Sequence, residues 1–332
     1  MKIFITGTFR SGTTLLSHII KVNPDISMTY DSVHFMRFGY KRYGINKINF
    51  EDALRLGKDF YKRLKSRFNK AFDLELYKEK MSKCKFITYS YIYDTIMKLH
   101  LGNNNWGEKT VLEWRSSVDL FDMFNDIFVI HTIRDPRDVL SSWKYTTKAP
   151  GKDYLDAIGN CYDSMKYALK NSRNFPKRYY VLRFEDLVDN PKKEIKKLCN
   201  FTGLDFNEEM INSQNFMSKI GGNKKWKPDT PFKDKIKGIS QKPVGRWKNK
   251  LDREDLFLCE MSIDDNMMNK FKYKKSNNIW NIRDVFNSFK YLYQSPLAYS
   301  GIMNIIHYKE GVERNPLDHF DSSTWDMDPD SY

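Results

Sequence analysis

The first twenty residues, MKIFITGTFRSGTTLLSHII, constrain the fold more than any other stretch of the chain. A short apolar run, Ile3-Phe4-Ile5, meets a turn bounded by Gly7 and Gly12. An apolar segment from Leu15 to Ile20 follows, long enough for two helical turns. A strand, a glycine-bearing loop and a helix start, in that order, leave backbone N–H groups unpaired at the loop, and the helix dipole adds partial positive charge there. The product is an anion site. The spacing Gly7-x4-Gly12 mimics a P-loop, yet Thr13 follows Gly12 where a P-loop NTPase carries lysine. The cation here is Arg10, inside the loop.

The rest of the pattern extends this unit into a layered α/β fold. Residues Ile127 to Ile133 form a continuous apolar, β-branched run, the signature of a parallel strand covered on both faces. Asp135-Pro136 then opens a helix to about Tyr145, since proline suits a first helical turn. A long helix is expected over Asp153 to Ser172, a third strand over Tyr179 to Phe184, and a helix from Asn190-Pro191 to Thr202. Between the opening unit and the Ile127 strand, helices are expected over Glu51–Lys70, Tyr89–Leu101 (stopped by Gly102) and Asp119–Asn125. Asp31 to Ile48 reads as a loop and short helix near the site, and Trp106 to Thr110 as a short strand end or loop. Strands alternating with helices imply right-handed crossovers and a three-layer fold with a central parallel sheet. Ser218 to Lys250 reads as a long basic loop, Arg253 to Phe271 as helical, and Asn278 to Gly311 as one or two helices broken near Pro296. This divides the chain into an α/β domain, 1–275, and a C-terminal helical extension with an acidic tail, 276–332.

A net charge of +14 admits three readings: a nucleic-acid or anionic membrane partner, a phosphorylated cofactor and an acidic substrate, or a lysine-rich solvated surface. Cys84, Cys161, Cys199 and Cys259 show no pairing pattern, as reduced thiols in a cytosol-like compartment would. No apolar run approaches a membrane span, and the N-terminal run is broken at once by Thr6, Gly7 and Arg10, unlike a signal peptide. The expectation is a soluble, cytoplasmic protein for which peripheral membrane contact stays open, as does its oligomeric state.

The second element with phosphate chemistry is IRDPRDVLSSW, Ile133 to Trp143. Arg134 stands where a buried strand ends, at the carboxyl edge where open α/β sheets bind ligands. Ser142 lies eight residues on, about two helical turns, and so can share a face with the helix start. A guanidinium and a hydroxyl converging there suit a terminal phosphate. With these residues in view, GTFRSGTT resembles the 5′-phosphosulfate loop of sulfotransferases that use 3′-phosphoadenylyl sulfate (PAPS), and IRDPRDVLSSW resembles their 3′-phosphate element. Val181 to Leu187 (VLRFEDL) is similar to that family's R-Y-E-D-L strand end, and Lys242 to Trp247 (KPVGRW) to its late K-x-V-G-x-W segment. The four stand in the family's order across roughly residues 2 to 250.

The resemblance implies a P-loop-like fold and transfer of a sulfuryl group from PAPS to a hydroxyl or amine, leaving the bisphosphate PAP; the absent P-loop lysine, and His131 and Thr132 where a P-loop NTPase has an aspartate, fit metal-free transfer. By position it implies that Arg10, Ser11, Gly12, Thr13 and Thr14 cradle the phosphosulfate. Arg134 and Ser142 would hold the 3′-phosphate, and Phe184 would stack near the adenine, where tyrosine is usual. Ser240 would touch the sulfuryl group and Lys242 the 3′-phosphate. The histidine that small-molecule sulfotransferases carry two residues after a lysine is missing: two after Lys109 stands Val111. Asp31, twenty-one residues past Arg10, falls where tyrosylprotein sulfotransferases carry a glutamate. Asp31 is therefore the candidate base, Lys109 the stabiliser of the transferring group, and Glu108 and His34 the reserve bases. The acceptor type implied is carbohydrate, glycolipid or peptide. A Mg²⁺-dependent P-loop kinase and a non-catalytic polyanion binder remain as alternatives, although the sequence contains no recognised nucleic-acid module.

Overall fold

Strands β1 (Lys2–Gly7), β2 (Ser27–Tyr30), β3 (Trp106–Lys109), β4 (Ile127–Ile133) and β5 (Tyr179–Arg183) form one parallel sheet in the order β2-β3-β1-β4-β5. The coordinates are a computed structural model, which describes residues 1–44, 48–146, 151–216 and 239–309. All six residues of β1 are buried, and it sits at the centre with Ile5 opposite Lys109 on one side and Gly7 opposite Thr132 on the other. The chain leaves β1 towards β2 on one side, and leaves β4 towards β5 on the other. Connections that part in this way open a crevice at the carboxyl ends of β1 and β4, where α/β sheets hold ligands.

The alternation of β1 explains the layers. Phe4 faces an aromatic core shared with helices α3 (Phe50–Phe68), α4 (Leu74–Ser82) and α5 (Tyr89–Leu101), where Phe35, Phe60, Tyr77, Tyr93 and Trp106 are fully enclosed. Ile3 and Ile5 face the opposite way, against Leu16 and Ile19 of α1 (Thr13–Lys21) and Ile195 and Leu198 of α10 (Pro191–Thr202). Short helices α2 (Phe35–Phe38), α6 (Ser117–Met123) and α9 (Phe184–Asp189) close the connections. A third apolar cluster joins α7 (Pro136–Lys144), α8 (Asp156–Asn174), α11 (Arg253–Ser262) and α12 (Asp265–Lys270) to α13 (Ile282–Tyr293) and α14 (Pro296–Lys309). In it, α14 lies against α8 so closely that a Cβ on Gly159 would come within 2.9 Å of Gly301.

The expected α/β fold is present, and the order of helices after β4 follows the sequence reading. Two elements escaped that reading. Strand β2 has only four residues and no β-branched run, and α4 is a weakly amphipathic helix of nine residues. Residues 106–109, expected as a strand end or loop, are a fully buried interior strand. The helix expected over 253–271 is two, parted at Ile263. Most of the basic stretch from Ser218 lies outside the described residues. Among the described residues no helix is long and apolar enough to cross a membrane.

Candidate active site

The loop after β1 is shaped by close approach. A Cβ on Gly7 would meet Thr132 Oγ1 at 2.4 Å, so only glycine lets β1 lie this near β4. Gly12 carries φ of 96°, which favours glycine, and a Cβ there would sit 2.5 Å from the Phe184 ring. No side chain caps α1, leaving the first-turn N–H groups directed at the crevice. Arg10, with left-handed backbone (φ 67°), donates from Nε to Ser142 Oγ at 2.9 Å. Two residues singled out 132 positions apart in sequence thus meet in space.

Arg134 ties the same corner together. It donates from one terminal nitrogen to the Arg10 carbonyl at 2.9 Å and from the other to the Pro243 carbonyl at 2.6 Å. Its guanidinium lies 4.6 Å from the Phe184 ring centre. Burial pulls its pKa below the ordinary arginine value; Arg10 and Arg246 push the same way, against Asp138 and Glu185. Its Nε is buried with no hydrogen-bond partner among the described residues. Clustered guanidinium groups, an orphaned donor and an uncapped helix start form a donor set suited to a multiply charged anion.

Two of the expected cofactor-contact residues are packed inside this corner. Ser11 is fully buried: its hydroxyl donates to the Thr8 carbonyl at 2.7 Å and shares a 2.8 Å bond with Thr132, and its N–H also bonds Thr8. It shapes the loop from inside, because a seven-residue strand neighbour with a hydroxyl at Thr132 lies beneath it. Phe184 is likewise buried, a brace between Gly12 and Arg134. Thr13 is buried and Thr14 half-buried at the helix start. The late segment docks onto α7 where Asp138 accepts from the N–H groups of Gly245 (2.7 Å) and Trp247 (3.0 Å), and Trp247 stacks over Arg137 at 4.0 Å. Lys242 is exposed, and its N–H donates to Ser240 Oγ at 3.2 Å.

At the carboxyl ends of β2 and β3 stands a second cluster. The Asp31 N–H donates to the Lys109 carbonyl at 2.8 Å, and the Lys109 ammonium pairs with Asp31 Oδ2. His34 Nε2 lies 3.9 Å from Asp31 Oδ1, and His34 Nδ1 lies 3.1 Å from Glu113 Oε1, which is also 3.6 Å from Arg37. The strand end runs beside the anion loop, with the Leu112 N–H donating to the Gly7 carbonyl at 3.1 Å. Asp31, His34 and Leu112 all have left-handed backbone (φ 49°, 53° and 63°), as Arg10 does. Left-handed backbone is uncommon for non-glycine residues, and four of them gather at this corner.

The reserve bases are placed differently. Glu108 is fully buried, bonded to the Tyr93 hydroxyl and to the His34 N–H at 2.7 Å, and burial raises its pKa to about 7. It props the β2–α2 turn from the core side. Glu113, not among the candidates above, is pushed by burial to about 8, with Arg37 opposing the shift. A carboxylate set between Val111-Leu112 and Trp114 was the one signal available. His131, at the end of β4, is a core residue: Tyr179 and Ser164 bond its two nitrogens at 2.5 and 2.7 Å, and burial drives its pKa to about 3.

A family model described as the sulfotransferase family matches residues 2–208, more than half of the chain. Carbohydrate sulfotransferase 6 from Homo sapiens is 30% identical over 112 residues, a match spanning 27% of this chain and 28% of that protein. The sulfotransferase domain from the Synechococcus PCC 7002 olefin synthase superposes with a TM-score of 0.52 at 18% identity, covering 82% of this chain and 95% of the domain. The sulfotransferase domain from the curacin biosynthetic pathway gives the same score and identity, covering 82% and 98%. At that identity the two structures speak for a shared fold.

Proposed function

The chain belongs to the sulfotransferase family, and from that premise we propose that it moves a sulfuryl group from PAPS to an acceptor hydroxyl. The observation that carries the proposal is the meeting of Arg10, Ser142 and Arg134 beside the uncapped start of α1. In this reading the N–H groups from Gly12 to Thr14, with Arg10, hold the phosphosulfate, and Arg134 and Ser142 hold the 3′-phosphate. PAPS supplies a sulfuryl group already joined to a phosphate leaving group. Phe184 and Ser11 act indirectly, by fixing Arg134 and the loop. Ser240 and Lys242 complete the cofactor side from the late segment.

The acceptor end supplies the proton transfer. Asp31 takes the proton of the attacking hydroxyl, and Lys109 and Arg10 stabilise charge that develops towards the leaving phosphate. Lys109 pairs with Asp31, so the reading requires Lys109 to turn towards the transferring group as the hydroxyl arrives. One observation favours a second assignment: Glu113 holds His34 Nδ1, which leaves Nε2 directed at Asp31 and the same corner. The carboxylate-centred arrangement fits a carbohydrate, glycolipid or peptide acceptor.

Calorimetry with PAP tests the cofactor assignment. Arg134→Ala and Arg10→Ala are each expected to weaken PAP binding by roughly a hundredfold or more, the usual scale for truncating one partner of a desolvated charge pair. Undiminished affinity in both would remove it. Turnover that persists in EDTA separates this reading from a Mg²⁺-dependent kinase.

A further inference from the structure

Helix α13 is mounted with its polar side inward. Its buried residues are Asp284, Ser288 and Leu292. Asp284 takes two bonds from Arg253 at 3.0 and 2.7 Å, and Asn287 donates to Glu254 at 3.0 Å. The Ser288 hydroxyl lies within bonding distance of the Asp284 and Glu254 carbonyls. These bonds to α11 fix the helix's rotation, since turning it over would strand the Asp284 charge away from Arg253. The consequence is an outward face made of Ile282, Phe286, Phe289 and Tyr293, at helical steps of four, three and four, continued by Ile279. All five are between 64 and 90% exposed. Large side chains at that exposure form an apolar patch on the order of several hundred Å², the size that marks an interaction surface on a soluble protein.

We propose that this stripe docks on an anionic lipid surface. The charges that share the exposed side of α13 are Arg283 and Lys290, while its one acid, Asp284, is locked inward, and the whole chain carries +14. An apolar helix face with basic flanks partitions into the headgroup boundary, rings towards the acyl chains and cations towards lipid phosphates. A second copy of the chain is a poorer occupant. A two-fold contact across the stripe would set Arg283 and Lys290 against their own copies, like charges opposed in a desolvated seam. This inference stands apart from the sulfotransferase reading and needs none of its residues.

The test is co-sedimentation of the full chain with vesicles of phosphatidylcholine alone and of phosphatidylcholine mixed with phosphatidylglycerol. The mixed vesicles are expected to bind the protein more tightly than the neutral ones. Phe286→Ser with Phe289→Ser should cut that affinity by roughly ten- to a hundredfold, the cost of withdrawing two rings from an apolar phase. Arg283→Gln and Lys290→Gln should each cut it by roughly fivefold. The thermal midpoint of the double serine variant should match wild type, since both rings are exposed. Three results would overturn the proposal: no wild-type binding to mixed vesicles; equal binding by the double variant; or light scattering that shows a wild-type dimer, a monomeric variant and no vesicle binding by either.

Discussion

The two ends of the candidate site are built on different principles. At the anion end, Gly7, Ser11 and Thr132 bond or pack against one another, Gly12 packs on Phe184, and Arg10, Arg134 and Ser142 interlock. At the acceptor end, charged groups from the β2–α2 turn, β3 and the chain beyond β3 are gathered in one corner. There Asp31 Oδ1 and Glu113 Oε2 have no hydrogen-bond partner among the described residues. The first end is tightly packed, which suits the anion proposed for it. The second stores unbalanced polarity, which suits the proton transfer proposed there.

The strongest way to break this contrast is Asp31→Asn. It should lower turnover by about 10²–10⁴-fold while leaving PAP affinity in calorimetry close to wild type. Turnover at the wild-type level would hand the base to His34 or Glu108; a parallel loss of PAP binding would show that the two ends are not separable. Next in size is Gly12→Ala. The left-handed backbone alone should cost about 1–2 kcal/mol, with the clash against Phe184 in addition. Denaturant unfolding and PAP binding should both suffer, because the loop and the Arg134 brace share that contact. An alanine variant of full stability and affinity would mean the anion end is less tightly packed than described.

The smallest effect sharpens the acceptor end. Glu113 sits near pKa 8 when folded against an ordinary 4.5, and Glu108 near 7. Between the unfolded and folded values the native chain holds a proton that the unfolded chain has released. Stability contributed by these groups is therefore full below about pH 4.5, and is lost as pH rises towards 7 and 8. Glu113→Gln should flatten part of that decline in Tm measured from acid to mildly basic pH. Equal slopes in variant and wild type would place the burden on other buried groups.

How far each end could be read from the sequence follows from the same contrast. The loop GTFRSGTT and the element IRDPRDVLSSW are contiguous, and glycine, proline and arginine at fixed offsets state their backbone geometry directly. The order of strands and helices after residue 127 followed for a similar reason, since continuous apolar runs and Asx-Pro helix starts are local signals. Strand β2 was missed because four residues carry too little pattern, although it positions Asp31. Glu113 was missed because its significance depends wholly on His34 and Arg37, drawn from another segment.

By itself, then, the sequence determined the parallel α/β plan, the anion loop and the pairing of that loop with the Arg134 element. These rest on backbone conformation and hydrophobic periodicity, which neighbouring residues dictate. Tertiary structure alone decided that Ser11 and Phe184 face inward, that Lys109 lies on Asp31, and that Glu108 supports the core side while Glu113 orients His34. It also decided that α13 turns its rings to the outside. Side-chain direction and protonation depend on which distant groups burial brings within a few ångströms, and no local pattern encodes that.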